Sequence, residues 1–206
     1  TAAFILKDLK DVTLDFGGAE LVFHGNIVPF ILDGCENVTI RNCTIDYDRP
    51  FYTEAHILDV SEDRLKLGLK DDFPCRVDKG NLVAVSEYWE NRLDHGDLLM
   101  QPYDPETGTP TSSMMLALIG DEVFPHPNPP LPVHHLRVTG HGDKTVTLSG
   151  AFPSDWRAGT DLAFTHEIRD KNTFTAAGCD GVTLENVRIL HGAAMGFVGM
   201  HSRDLT

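Results

Sequence analysis

Basic residues are scarce in this chain: 17 Lys and Arg stand against 31 Asp and Glu in 206 residues, a formal net charge of -14. That surplus repels phosphate backbones and anionic lipid headgroups, so neither nucleic acid nor a membrane is expected as a partner. Long apolar runs are also missing, none approaching the roughly 20 residues that cross a bilayer. The opening residues, Thr1 to Leu6, carry neither a basic leader nor a small-residue cleavage site. The four cysteines, Cys35, Cys43, Cys75 and Cys179, contain no C-x-x-C pair, which removes the zinc and dithiol signatures and leaves buried thiols. What is plentiful is 18 Gly and 12 Pro, a composition that favours many short elements over long helices.

A repeat runs through the chain. Phe4, Phe30, Phe174 and Phe197 are each followed eight residues later by Val or Leu and then by Thr: Val12-Thr13, Val38-Thr39, Val182-Thr183 and Leu205-Thr206. Successive copies start 26, 144 and 23 residues apart, and the two short spacings each match one turn of a β-solenoid. Within a copy, apolar residues alternate, as in Val38/Ile40 and Cys43/Ile45, which is the period of a half-buried strand. A single turn cannot bury its own apolar face, so equivalent positions are expected to stack as ladders, Phe on Phe, Cys35 on Cys179, Asn42 on Asn186. The fold class this predicts is all-β, a parallel β-helix. Because Leu205 and Thr206 fall inside a strand, the chain reads as a piece of a longer protein, and an uncapped end with unpaired strand edges leaves self-association into a homo-oligomer open to it.

The long spacing holds one turn plus roughly 120 extra residues. Three segments follow: β-helix turns over 1–50, an inserted domain over 51–170, and further turns over 171–206. Strands are expected at 53–60, 64–69, 81–89, 114–120, 134–140, 144–150 and 161–168. They are separated by turn signals such as Ser61-Glu62-Asp63 and Gly140-His141-Gly142-Asp143. Seven short strands without a helix predict a small antiparallel β-barrel or sandwich. The proline-rich stretch from Phe124 to Pro132 reads as an extended surface loop.

The run Ile45-Asp46-Tyr47-Asp48-Arg49-Pro50-Phe51, which closes an Asn-containing turn, resembles the Ile-Asp-aromatic-Asp-x-Pro-Phe motif of the α-1,3-galactosidases of glycoside hydrolase family 110. Phe23-His24-Gly25, His166-Glu167-Ile168-Arg169-Asp170 and Leu190-His191-Gly192-Ala193-Ala194-Met195-Gly196 resemble further parts of that family in the same order. The resemblance implies a right-handed parallel β-helix in a secreted or periplasmic enzyme. It implies an exo-acting enzyme that removes terminal α-linked galactose from a glycan with inversion and uses no metal or organic cofactor. Inversion needs a carboxylic acid and a carboxylate base about 6.5 to 9.5 Å apart. The family's catalytic aspartates are expected beyond Thr206, since Asp180, Glu185 and Asp204, the acidic residues after Phe174, match none of its motifs.

Substrate-binding candidates are Asp46, Asp48, Arg49, Arg169, His191 and His201. In an alternating strand Asp46 and Asp48 face away from Ile45 and Tyr47, and with Arg49 they either bind sugar hydroxyls or form an ion pair that fixes the junction. Arg169 and Asp170 stand at the other junction. His191 aligns with Tyr47 one turn earlier, and His201 follows the Phe197 position by four residues; each lines a cleft or is a satisfied surface residue. Tyr88, Trp89 and Trp156 could stack on a sugar face, with barrel core the competing role. His134, His135 and His141 lack companions at ligand spacing, so no metal site is expected. Two other function classes compete: a polysaccharide lyase, which needs an outward Lys/Arg cluster and often calcium, and a noncatalytic glycan-binding or structural β-helix.

Overall fold

The computed structural model describes residues 1–95, 98–129, 131–166, 171–192 and 194–206. Among them the chain is all-β and divides into two compact units, Thr1–Phe51 with Ile168–Thr206, and Tyr52–Glu167.

In the first unit the chain passes alternately through two parallel sheets. One contains β1 (Ala2–Lys7), β3 (Val28–Asp33), β15 (Phe174–Ala177) and β17 (Phe197–Met200) in that order; the other contains β2 (Lys10–Phe23), β4 (Glu36–Tyr47), β16 (Asp180–Ile189) and β18 (Arg203–Leu205), ordered β18-β16-β4-β2. Phe4 pairs with Phe30, Phe30 with Phe174 and Phe174 with Phe197, so the residues aligned in the sequence are neighbours in the sheet. Their rings stack at 4.8 Å and 4.7 Å along the first three, close to the strand spacing itself, and tilt at 6.3 Å between Phe174 and Phe197. Val38, Ile40, Cys43 and Ile45 are buried while Thr39, Arg41 and Thr44 between them are not, the alternation that drives β4 to lie flat on a core.

The bends between the sheets have a chemical cause. Asp8, Gly34, Gly178 and His201 occupy one corner of four successive turns, and Asp11, Asn37, Gly181 and Asp204 the next; all eight have φ between 51° and 72°. Asp, Asn and His are the side chains that best tolerate this left-handed region, and a β-branched residue there would be strained. At a third corner Asn42 and Asn186 take φ of 58° and 50°, while on the first turn Phe16, Gly17 and Gly18 bulge out in place of a single residue, Asp15 pairing with Arg41 and Ala19 with Cys43.

The second unit is built on a closed barrel ordered β10-β11-β12-β13-β6-β5-β14. Its strands are β5 (Tyr52–Val60), β6 (Arg64–Leu69), β10 (Leu98–Tyr103), β11 (Met115–Ile119), β12 (Val133–His141), β13 (Thr145–Ser149) and β14 (Asp161–Thr165). A separate sheet holds β7 (Cys75–Asp78), β8 (Asn81–Val85) and β9 (Glu90–Arg92). Three expectations are corrected here. The strand expected at 81–89 is shorter and sits in the three-stranded sheet, and β10 takes a place in the barrel instead. Pro102 interrupts the apolar pattern of β10 but is tolerated, because it lies beyond Met100, where pairing with β11 ends, and on that side its carbonyl accepts from the Thr111 amide at 3.1 Å. The barrel is not wholly antiparallel, since β11 and β12 run parallel. Parallel neighbours need a crossover of about a dozen residues, and the proline-rich segment between Ile119 and Val133 provides it.

Candidate functional site

The candidate site lies in the first unit, where β2, β4 and β16 leave their sheet. Alternation along β4 buries Ile45 and Tyr47 and turns Asp46 outward, with Asp48 just past the strand end. Asp46 Oδ1 accepts a hydrogen bond from the Tyr47 amide at 2.7 Å and lies 2.8 Å from His191 Nδ1. Asp48 Oδ2 lies 3.2 Å from His24 Nδ1. Two histidine–carboxylate pairs therefore stand beside one another on three successive turns. His24 follows Phe23, which pairs with Tyr47, so His24 and Asp48 hold equivalent positions. His191 aligns with Tyr47, but its left-handed φ of 49° brings its ring to Asp46.

Beneath this row the side chains are aromatic and buried. Tyr47 packs edge-on against Phe51 at 5.1 Å and donates its hydroxyl to the Ile27 carbonyl at 3.4 Å. Burial pushes its phenol up to about 12, so it stays neutral. Arg49 is only 4% exposed, and its Nη1 donates to the Pro50 carbonyl at 2.7 Å. Arg169 and Asp170 lie outside the described residues. His201 stands at another corner, exposed between β17 and β18, where its backbone conformation accounts for it.

A groove of about 530 Å³ runs along the third corner, lined by residues including Asp15, Asn42, Asn186 and Arg188. Its polar groups serve the stack. Asn186 donates to Asn42 at 3.1 Å, and Asn42 donates to Asp15 at 2.9 Å. The Gly17 amide and Arg41 also donate to Asp15, at 3.0 and 2.8 Å. Hydrogen bonds from Asn42, then Gly17, then Arg41 hold the Asp15 carboxyl down at about 2. This is an amide spine ending in a carboxylate, with its donors and acceptors directed at one another.

In the second unit the aromatic and histidine candidates divide. Trp156 is core, with its indole N–H donated to the Ser113 carbonyl at 2.7 Å; Trp89 packs partly buried against the barrel core, and Tyr88 is exposed. His135 Nε2 bonds the Gly120 carbonyl at 2.7 Å. Lys70 sits 2.5 Å from Asp161 and 2.8 Å from Glu54, and His56 contacts the same Asp161. Burial disfavours the Lys70 ammonium, yet the hydrogen bonds to Asp161 and Glu54 outweigh it and hold its pKa above the ordinary lysine value. Those ion pairs tie β5, β14 and the end of β6 together as a structural seam. Among the described residues no three His, Cys, Asp or Glu side chains converge as metal ligands.

No protein-family model matches the chain. It is similar over nearly its whole length to curated proteins named alpha-1,3-galactosidase. It is 28% identical to alpha-1,3-galactosidase A of Shewanella woodyi over 198 residues, covering 95% of this chain and 30% of that protein. It is 25% identical to alpha-1,3-galactosidase B of Bacteroides thetaiotaomicron over 211 residues, covering 99% of this chain and 31% of the relative. Alpha-1,3-galactosidase B of Phocaeicola vulgatus is 35% identical over a shorter stretch of 97 residues, 47% of this chain and 16% of that protein. The chain spans about 30% of the length of the first two relatives.

Proposed function

Starting from a likeness to proteins named alpha-1,3-galactosidase along nearly the entire chain, we propose that this chain is part of a glycoside hydrolase that acts on glycans ending in galactose. That likeness is the observation that carries the reading. In this proposal the enzyme removes terminal α-1,3-linked galactose with inversion, one carboxylic acid protonating the leaving oxygen while a carboxylate activates water on the opposite face of the ring. Both groups belong to residues outside the 206 of this sequence. The two parallel sheets with their repeated left-handed corners support a right-handed parallel β-helix, because crossovers between parallel strands of one sheet are right-handed almost without exception. The barrel of the second unit then corresponds to a domain inserted over about residues 51 to 170, between two turns of that helix.

Within this reading the row of His24, Asp48, Asp46 and His191 holds the sugar. Carboxylate oxygens accept from hydroxyls, and imidazole N–H groups donate to them. Each carboxylate is already oriented by its histidine, so little ordering remains to be done on binding. The test is galactose release from an α-1,3-galactosyl disaccharide by the polypeptide that carries this chain, as wild type and as Asp46→Asn and Asp48→Asn. A hydrogen bond to a charged acceptor predicts a loss of about tenfold or more in kcat/KM for each variant. Glycan binding without galactose release would sink the hydrolase reading in favour of a noncatalytic one. Unchanged kcat/KM in both variants would remove the row from the site.

A further inference from the structure

We propose that Phe124, His95 and Arg92 form a separate sugar-binding subsite on the barrel unit, with the buried carboxylate of Asp94 as the post that holds its two donors in place. The choice of a galactose-type pyranose as ligand rests on the function proposed above; the subsite itself rests on the following geometry.

The backbone of residues 93 to 95 is pinned between strands: the Leu93 amide donates to the Leu82 carbonyl at 2.9 Å, and the Ile119 amide donates to the Leu93 carbonyl at 2.7 Å. Asp94 is fully buried, at 0% exposure. Its Oδ2 accepts from Arg92 Nε at 2.9 Å and Nη2 at 2.6 Å, and its Oδ1 contacts His95 Nδ1. Burial alone would raise the pKa of this carboxyl, but Arg92 and His95 overcome it and keep the group ionised. Gly120 makes the room. A Cβ there would fall 2.1 Å from Asn81 Oδ1 and 3.0 Å from Asp94 Cβ.

The partners of Asp94 remain at the surface, the Arg92 and His95 side chains being 46% and 48% exposed. Phe124 is 55% exposed, yet it is fixed: its amide donates to the Asp94 carbonyl at 2.8 Å, and its ring stacks on His95 at 4.8 Å. Pro125, Pro127 and Pro129 follow and restrict the chain further. A large apolar ring held rigidly in water beside two pre-oriented donors is costly to maintain and inexpensive to bind with.

The chemistry selects the ligand class. The Asp94 carboxylate neutralises the Arg92 guanidinium, and the exposed Asp121 and Glu122 add negative charge nearby, so an anionic sugar is disfavoured. A neutral pyranose whose axial hydroxyl at carbon four leaves a run of C–H bonds on one face fits a flat ring, and its hydroxyls fit the donors of Arg92 and His95.

The experiment titrates methyl α-D-galactopyranoside, methyl α-D-glucopyranoside and N-acetylneuraminic acid into wild type, Phe124→Ala and Phe124→Trp, read by saturation-transfer NMR. The expected result is galactoside binding that is lost about tenfold in Phe124→Ala, retained in Phe124→Trp, and stronger than binding of either other sugar. Equal galactoside affinity in wild type and Phe124→Ala overturns the subsite, as does a preference for the anionic sugar. Phe124 is exposed, so an unchanged unfolding temperature separates lost binding from lost fold. Galactose release, measured in parallel, tells the two readings apart. Absent release with Phe124-dependent binding intact removes the hydrolase and supports the subsite. Intact release with Phe124-independent binding removes the subsite alone.

Discussion

The two units solve the same problem, closing a β-sheet core, in opposite ways. In the unit formed by Thr1–Phe51 and Ile168–Thr206 every sheet contact is parallel and joins equivalent positions of successive turns, so a residue's neighbours are its own counterparts: Phe30 on Phe174, Val38 on Val182, Asn42 on Asn186. In Tyr52–Glu167 the contacts are mostly antiparallel and each is made once, with partners as unlike as Met100 and Phe164 or Thr53 and His166. The first arrangement spreads its core along ladders; the second gathers it into one cluster around Trp156, Phe164, Leu65 and Leu148. A ladder repeats one interaction many times, so each rung is replaceable in kind but continuous in effect. A closed cluster has no repeats, and its cooperativity is that of a single small domain.

The largest expected effect tests this contrast directly. Phe174 is fully buried between Phe30 and Phe197, and Phe174→Ala is expected to cost about 3 to 5 kcal/mol by transfer and cavity terms together. Leu148→Ala in the barrel core, also fully buried, is the matched change at about 2 to 5 kcal/mol. The only two tryptophans, Trp89 and Trp156, lie in the barrel unit, so their fluorescence reports that unit while circular dichroism at the β-sheet band reports both. Phe174→Ala should lose dichroism before fluorescence changes, and Leu148→Ala should move the fluorescence transition to lower denaturant. If the two signals stay superimposed in both variants, the chain unfolds as one body and the contrast between the units does not extend to their stability.

How much was legible in the sequence follows the same division. The Phe, Cys and Asn ladders were readable because periodicity carries them. Three residues, Phe16, Gly17 and Gly18, broke the reading on the first turn: Phe4 to Phe30 is a step of 26, but beyond the bulge Phe23 to Tyr47 is a step of 24. That is why the Phe spacing does not set His24 beside Asp48. His191 aligns with Tyr47, as the spacing predicts, but its contact with Asp46 is not legible in that alignment, because its backbone there has a left-handed φ instead of the strand conformation that alternation assumes. In the barrel no repeat exists to correct an error, so the Pro102 that disguised β10 and the true sheet of β8 emerged only with the structure. Asp94 and Phe124 escaped for the same reason: burial of one and exposure of the other are set by residues distant in sequence.

A smaller effect tests whether the amide spine stabilises or merely decorates the first unit. Asn42→Ala removes the acceptor of Asn186 and the donor to Asp15, and it forces alanine to a φ of 58°. The backbone strain and the lost hydrogen bonds together are expected to cost about 2 kcal/mol. Asn42→Gly relieves the strain but not the lost amide, so it should recover about 1 kcal/mol of that. Denaturant midpoints of the three proteins measure both parts. A glycine variant as stable as wild type would show that conformation alone selects asparagine at this corner.

The smallest expected effect is electrostatic. The Asp15 carboxyl is held at about 2, below its ordinary 3.8, chiefly by the Asn42 amide, with Gly17 and Arg41 adding to it. A depressed carboxyl contributes stability that is fully present above the unfolded value and is lost as pH falls through the folded one, so the window runs from about pH 4 down to about pH 2. Asp15→Asn abolishes that titration. Above the window it should be less stable than wild type, and the difference should shrink as pH falls through it. The side chain is partly exposed and bonded to Arg41, so salt should weaken the effect as well. Thermal unfolding of the two proteins across that range is the measurement. In the Asn42→Ala background the difference should be smaller already at neutral pH, because the first cause of the shift is gone. A pH profile for Asp15→Asn that runs parallel to wild type would mean that the carboxylate does not anchor the amide spine at all.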